Sequence, residues 1–456
     1  MAVLVPRGSL IQTVTGRVQR AGSDFGDWPP SHRCFPAADT RCLFDKMPLS
    51  RKGKKDMKQH ESRGLDELPD GVLEHILGLL PAEEAVRTCL LAQRWRHLWK
   101  SAASLRVVSA DGQFLDSGAK LREFMDHLLL GRGGAALELF ELTIGDEDEL
   151  LRDEEYVLPF VESWFRHAVR SKVQVLRLLL LPNDFHVLDD MPLVSNHLTR
   201  LELCRVEVHG SFLNFSGCPN LEHLEFDACD LYFTSTKASF ESLKCLSITG
   251  SNLCVYMDNS GARMRISAPN LVSLVLHRVL GATPIFENLP SLLEASVISD
   301  WSADGCKQDA KYWDCDCEYC DISPVNGSVK LRYIFKRDMR YCPTFGNLKN
   351  LWLNDYWCVP DNFCLLACIL EHSPILEKLT LQLFSEGPEH KMELEGSISP
   401  TRKAATISKY LKTVVVKCEA VDVRIVKVLN FLCTCKKFWV AVDLLRLPVK
   451  NCKAQV

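Results

Sequence analysis

"LTRLEL" at residues 198–203 and "CPNLEHLEF" at residues 218–226 carry one pattern, L-x-x-L-x-L, twice in succession. Leu198, Leu201 and Leu203 recur as Leu221, Leu224 and Phe226. The pattern returns in "SLKCLSI" (Leu243, Leu246, Ile248), "APNLVSLVL" (Leu271, Leu274, Leu276) and a degraded "LPSLLEASV". It appears again in "GNLKNLWL" (Leu348, Leu351, Leu353) and "SPILEKLTL" (Leu376, Leu379, Leu381). Leu201, Leu224 and Leu246 stand 23 and 22 residues apart, a period that signals a solenoid of stacked short repeats. In each unit the apolar residues occupy alternating inward positions around a short strand, which needs neighbours on both sides to cover it. Stacking then gives a parallel sheet along one face.

Between the inward residues lie outward ones: Arg200, Glu202 and Cys204; His223, Glu225 and Asp227; Cys245, Ser247 and Thr249; Ser273, Val275 and His277; Asn350, Trp352 and Asn354; Lys378, Thr380 and Gln382. They do not carry the fold and form an extended surface of the kind repeat proteins use to hold partners. The candidate target-binding face is Arg200, Glu202, His223, Glu225, Asp227, His277, Trp352, Asn354 and Lys378. Trp352 stands out, because an outward tryptophan is costly to leave wet. Upstream, Leu121, Phe124, Met125, Leu128 and Leu129 form an amphipathic helix feeding the strand "LELFELTI". Phe160, Val161, Trp164, Phe165 and Ala168 form another, feeding "VQVLRLLLL". These pairs read as atypical first repeats that cap the stack. The acidic "GDEDELLRDEE" between them reads as a solvated loop.

Ahead of the repeats, "LPDGVLEHILGLLPAEEAVRTCLLAQRWRHLWK" reads as three short helices. Pro69 and Asp70 start the first, with Val72, Leu73, Ile76, Leu77 and Leu80 as its apolar residues. Pro81 opens the second, where its missing N–H costs nothing, and Glu83 and Glu84 suit the dipole of its first turn. The third carries Leu91, Trp95, Leu98 and Trp99. About forty residues is near the lower limit for independent stability. Tryptophan and arginine are enriched at binding hot spots. Spacing alone leaves a self-contained core and a partner-covered one equally open.

Composition narrows the function classes. With 54 Lys and Arg against 58 Asp and Glu the net charge is −4, which does not suggest nucleic-acid binding. No apolar run reaches the roughly 18 residues of a membrane span, and no secretory h-region opens the chain. Twenty cysteines are scattered through apolar runs, so reduced thiols and a cytoplasmic or nuclear location are expected. Residues 1–63 are expected to be a flexible lead-in. Met1 to Ser23 faintly resembles an organelle transit segment, and Arg51 to Lys58 reads as a solvated basic linker, with nuclear import as the alternative.

The helical segment resembles an F-box of the type found in plant F-box proteins with leucine-rich repeats. The matching residues are Leu68-Pro69-Asp70, Leu73, Ile76-Leu77, Leu80-Pro81, Ala85-Val86-Arg87-Thr88, Arg94-Trp95-Arg96 and Leu98-Trp99. Gly78, Cys89 and Gln93 depart from the commoner residues without disturbing the apolar pattern. The resemblance implies docking on a Skp-type adaptor, and through it on a cullin scaffold. It makes Leu68, Pro69, Ile76, Leu77, Leu80, Pro81, Val86, Trp95, Leu98 and Trp99 the adaptor-contact and core set. "CPTFGNLKNLWLNDYW" and "LEHSPILEKLTLQL" resemble the repeats of the grass-type branch of that family. "YLKTVVVK" followed by "VKVLNFLCTCKKFWV" resembles its small C-terminal FBD domain.

The expected fold class is α/β: a small three-helix F-box followed by an irregular leucine-rich-repeat solenoid with a parallel sheet. The expected domains are the extension 1–63, the F-box 64–105, the solenoid 106–383 with an insertion at about 300–340, and the FBD-like region and tail 384–456. Cys306, Cys315, Cys317 and Cys320 could in principle hold zinc, but their spacing is irregular and acids crowd them, so a reduced acidic loop is preferred and no metal or cofactor is expected. The chain has no phosphate loop, dinucleotide glycine fingerprint, H-E-x-x-H or G-x-S-x-G, so an enzyme with its own active site is disfavoured. The expectation is a substrate-recognition subunit of a Skp-cullin-F-box ubiquitin ligase that binds an unknown target. The alternative is a repeat scaffold not assembled with a cullin. Neither reading calls for nucleic acid or membrane.

Overall fold

The computed structural model describes residues 2–4, 65–109, 118–144, 154–180, 186–188, 190–235, 237–255, 264–281, 284–287, 289–298, 344–358, 363–383, 409–435 and 439–444. The four clustered cysteines, the basic stretch Arg51 to Lys58 and most of the acidic loop lie outside the described residues. The chain divides into two compact units, one holding the described residues up to 234 and the other those from 235 onward together with 2–4.

The first unit opens with the helical head. Helix α1 (Asp70–Leu79) starts after Pro69, and α2 (Ala82–Arg87) starts after Pro81. The expected third helix is broken. Ala92 is fully extended, a tight 3-10 turn spans Gln93–Arg96, His97 leaves helical geometry, and α3 (Leu98–Ser101) is a single turn. Trp95 and Trp99 therefore do not share one continuous helical face, and Leu91, expected on it, is exposed.

Five parallel strands follow: β1 (Ser104–Ser109), β2 (Leu139–Ile144), β3 (Val175–Leu180), β4 (Arg200–Cys204) and β5 (His223–Asp227), each paired with the next. The expected boundary after residue 105 thus falls inside β1, the first strand of the sheet. Helices α4 (Gly118–Arg132) and α5 (Glu154–Arg170) make the first two crossovers. They bury Leu121, Phe124, Met125 and Leu128, and Val161, Trp164, Phe165 and Ala168. Register puts Leu105, Phe140, Leu176, Leu201 and Leu224 in one buried row, and Val107, Leu142, Leu178, Leu203 and Phe226 in the next. The period of two sends the residues between them to the opposite face.

Among the described residues, the main sheet of the second unit carries seven parallel strands: β6 (Cys245–Thr249), β7 (Ser273–His277), β8 (Glu294–Ile298), β9 (Asn350–Asn354), β10 (Lys378–Leu383), β11 (Thr413–Cys418) and β12 (Trp439–Leu444). The degraded repeat "LPSLLEASV" still forms β8, with Leu292 buried and the inward Ala295 and Val297 no better covered than Ser296 and Ile298, all four half-buried. The described strands of the FBD-like region, β11 and β12, continue the sheet from β10 without a break. Helices α6 (Cys364–Glu371) and α7 (Val423–Cys435) flank them. Phe363 begins α6 in a left-handed conformation (φ 47°) and stacks on Phe431 of α7 at 4.8 Å between ring centroids. Ala2–Leu4, within the expected lead-in, pairs antiparallel with Trp439 to Ala441 of β12, satisfying part of a sheet edge.

One turn recurs at the end of the sheet strands. Arg205, Ala228, Gly250 and Arg278 each follow a strand directly, and each has positive φ, at 55°, 49°, 57° and 51°. The chain then enters a short second strand: Val206–His209, Asp230–Phe233, Asn252–Val255 or Leu280–Gly281. Three of the four are not glycine, and a left-handed L-residue costs about 1–2 kcal/mol, offset in part by the roughly 0.5–1 kcal/mol of extra entropy a glycine loses on folding. Ala228→Gly should therefore raise stability slightly, and Gly250→Ala should lower it by about 1 kcal/mol. Urea unfolding that gave both substitutions the same sign would refute a shared left-handed turn.

Candidate functional site

In the head, α1 has two apolar sides. Leu73 and Leu77 are buried, with Val86, Trp95, Leu98 and Trp99. Val72, Ile76 and Leu79 stand at i, i+4 and i+7 on another stripe, where Val72 is 43% and Leu79 59% exposed and Ile76 is half-buried. Leu65, Leu90 and Leu91 are also exposed, Leu91 at 72%. The adaptor-contact and core set therefore separates. Leu77, Val86, Trp95, Leu98 and Trp99 are core; Leu68, Ile76 and Leu80 are half-buried; Pro69 and Pro81 are exposed. Val72, read from sequence as one of the apolar residues of this helix, is exposed. Arg94 clamps the turn to the start of α1 through Asp70 Oδ1, at 2.9 Å from Nε and 2.6 Å from Nη2, and through the Leu68 carbonyl.

The head is fastened to the sheet. Residue 81 bridges to Arg106 of β1, and Gly78 lies so close to Ser104 that an added Cβ would stand 3.2 Å from the serine Cβ. A Cβ on Gly131 of α4 would sit 2.7 Å from the Trp99 ring, so glycine there lets the indole bury against the helix. Next to it, buried Arg132 donates to the Trp99 carbonyl at 3.1 Å and the Ala102 carbonyl at 2.7 Å. These carbonyls stand at the end of α3, where a helix runs out of its own donors. Burial pushes the Arg132 pKa down to about 10, which leaves it charged at neutral pH. None of this joint was read from the sequence, where Arg132 carries no signal.

On the sheet face of the first unit, register assembles Arg106, Glu141, Arg177, Glu202 and Glu225 into one row across five strands. Arg106 lies 3.3 Å from Glu141; Arg177 lies 3.4 Å from Glu141 and 2.7 Å from Glu202; and Arg200 also pairs with Glu202. The Arg177 Nε contact with Glu202 is close but poorly aligned for a hydrogen bond. Glu225 ends the row beside a like charge, and burial followed by Glu202 pushes its pKa up. Of the candidate target face, Asp227 and Lys378 are exposed, while Arg200, Glu202, His223, Glu225, His277 and Trp352 are half-buried. Asn354 is a correction: only 7% exposed, it does not face solvent. Cys204 and Thr380, also read as outward, are buried too. Lys417, absent from the sequence reading of this face, lies 4.2 Å above the Trp352 ring.

A family model described as the F-box domain matches residues 65–106. An F-box/FBD/LRR-repeat protein of Arabidopsis thaliana is 26% identical over 384 residues, covering 73% of this chain and 80% of the relative. A MEIOTIC F-BOX protein (MOF) of Oryza sativa subsp. japonica is 30% identical over 356 residues, covering 70% of each chain. A putative FBD-associated F-box protein of A. thaliana is 29% identical over 255 residues, covering 50% of this chain and 57% of the relative. No helix among the described residues is long and apolar enough to cross a membrane.

Two predictions follow from the head. Arg132→Met removes two buried hydrogen bonds from a charged donor and should lower the stability of the first unit by about 2 kcal/mol or more. Hydrogen exchange at residues 98–105 should rise sharply; unchanged protection there would rule out the staple. Glu83, 2.9 Å from Arg87, has its carboxyl pushed up to about 7 by burial, against the pull of that arginine. The folded state then holds this proton more tightly than the unfolded chain. The contribution is fully present below the ordinary carboxylate range and is lost as pH rises through about 7. Glu83→Gln should flatten that slope in urea unfolding between about pH 5 and 8; an unaltered slope would show that Glu83 does not titrate in this way.

Proposed function

This chain belongs to the plant F-box proteins that carry leucine-rich repeats and FBD-like features, and from that premise we propose that it is the substrate-recognition subunit of a Skp-cullin-F-box ubiquitin ligase. The head docks on a Skp-type adaptor and, through it, on a cullin. The sheet face holds a target protein. The chain contributes positioning and no active site of its own. By fixing a target near an activated ubiquitin, it turns a bimolecular encounter into one of high effective concentration.

The observation that carries this reading is the stripe Val72, Ile76 and Leu79, which stays outside the core although its spacing is that of a packed helix face. A regular apolar stripe rimmed by polar residues marks a protein interface more strongly than scattered exposed side chains do. The two tryptophans support the fold beneath it and are not proposed as direct contacts. Of the set named from sequence, Leu68, Pro69, Ile76, Leu80 and Pro81 remain as proposed contacts, joined by Val72 and Leu79. The proposed domain limits are the head to about residue 103, ahead of β1, the repeats to 383 and the FBD-like region beyond.

Co-purification of the full chain with a recombinant Skp-type adaptor tests the proposal. Val72→Glu with Leu79→Glu should weaken the complex by about thirtyfold or more, as loss of a hot-spot residue does, while circular dichroism and melting temperature stay near wild type. Failure of the wild-type chain to bind the adaptor, or equal binding by the double variant, would overturn it. Adaptor binding without recruitment of a cullin would favour the scaffold reading.

A further inference from the structure

The sheet face of the second unit contains a polar group that its own strands leave unserved. Trp352 projects from β9, and its indole Nε1 is shielded yet donates to no acceptor among the described residues. Buried donors without partners are rare enough that each needs an explanation. Lys417, on β11, reaches across β10 and places its ammonium 4.2 Å from the centroid of the same ring. Among the described residues Lys417 makes no ion pair. Asp443, next to it in register on β12, does not come within pairing distance. Lys378 of β10, on the same face and exposed, likewise has no carboxylate partner among the described residues.

We propose that Trp352 and Lys417 form a subsite for a carboxylate side chain on an acidic segment of the target protein. One carboxylate oxygen accepts the Trp352 N–H. The Lys417 ammonium swings off the ring face to pair with the other, opening the indole edge as it moves. Lys378 adds a second cation along the segment. This gives each unserved group a partner of matching character, and charge-assisted hydrogen bonds are the stronger kind. The occupant is a carboxylate and not a phosphate, because strands β9 to β12 hold no arginine, and phosphate recognition favours the guanidinium fork. The neutral neighbours fit a single point contact: Thr380 is buried between Trp352 and Val415 in register, and Gln382 lies between Asn354 and Lys417.

The proposal rests on the reading that the sheet face holds the target, but its test needs no adaptor, so the two can fail separately. The full chain is labelled with 5-fluorotryptophan, and the Trp352 resonance is assigned by its loss in Trp352→Phe. The probe is a fluorescein-tagged peptide of alternating glutamate and glycine, with glutamine and phosphoserine counterparts. The glutamate peptide should shift the Trp352 resonance. Lys417→Gln should weaken its binding about fivefold, the scale of a solvent-accessible ion pair, and Lys417→Arg should retain it. The glutamine peptide should not bind. The subsite is overturned if the glutamate peptide leaves the resonance unmoved, if the glutamine peptide shifts it equally, or if Lys417→Gln binds as well as wild type. Tighter, Lys417-dependent binding of the phosphoserine peptide would overturn the choice of carboxylate.

Discussion

The first strand of a parallel stack has no preceding repeat to cover it, and its backbone groups and flanking side chains are left open. In the first unit the helical head fills that place. Residue 81 bridges to β1, Gly78 closes on Ser104, and Arg106 reaches back to the Leu79 carbonyl at 3.3 Å. Arg132 then takes the carbonyls at the head's last turn. The dependence runs both ways. A segment of about forty residues is near the lower size limit for a stable domain, and Trp99 completes this one by burying against α4. Head and repeats are one folding problem, which is why a division at residue 105 looks natural in sequence and cuts a strand in the structure.

The charged row on that unit's sheet face has a related role. Individually its ion pairs are partly exposed, and pairs of that kind contribute about 1 kcal/mol or less. Their placement matters more than their sum. A one-residue slip in any strand would carry an arginine or glutamate into the leucine rows and expose leucines in return. Alternating charge from Arg106 to Glu202 therefore reinforces the register that the leucines already set. The alternation stops at Glu225, where two carboxylates adjoin and the second is harder to ionise. The face is self-satisfied over most of its width and less so at that end.

What could be read from the sequence was what depends on short-range period. The L-x-x-L-x-L units gave strands whose inward residues are buried, because alternation about a strand is local. The head's first two helices were legible for the same reason, through Pro69, Pro81 and the spacing of Leu73 and Leu77. The break after Leu91 was not, since nothing between Ala92 and His97 is a strong helix breaker. The recurring left-handed turn was hidden because arginine or alanine occupies three of its four positions, and Gly250 alone does not signal a repeat. Contacts that need register or tertiary placement left no local trace at all: the Arg106 to Glu225 row, Arg132 on α3, and Lys417 over Trp352. Asn354 was misplaced because alternation assigns a direction to a residue and not its degree of cover.

The two tryptophans show why family likeness and contact are separate questions. A motif preserves whatever its fold needs, and here Trp95 and Trp99 are the two largest side chains of a very small core. A ten-residue helix packed against two shorter ones buries only one side fully, so the apolar residues on the other side contribute much less to the head's own stability. Val72, Ile76 and Leu79 lie there. Isolated exposed hydrophobics such as Leu130 or Met191 are ordinary on any protein surface. Three at helical spacing, on a helix whose opposite side is fully packed, are not explained by folding, and that regularity without a structural use is the strongest argument that the head is built to be covered by another protein.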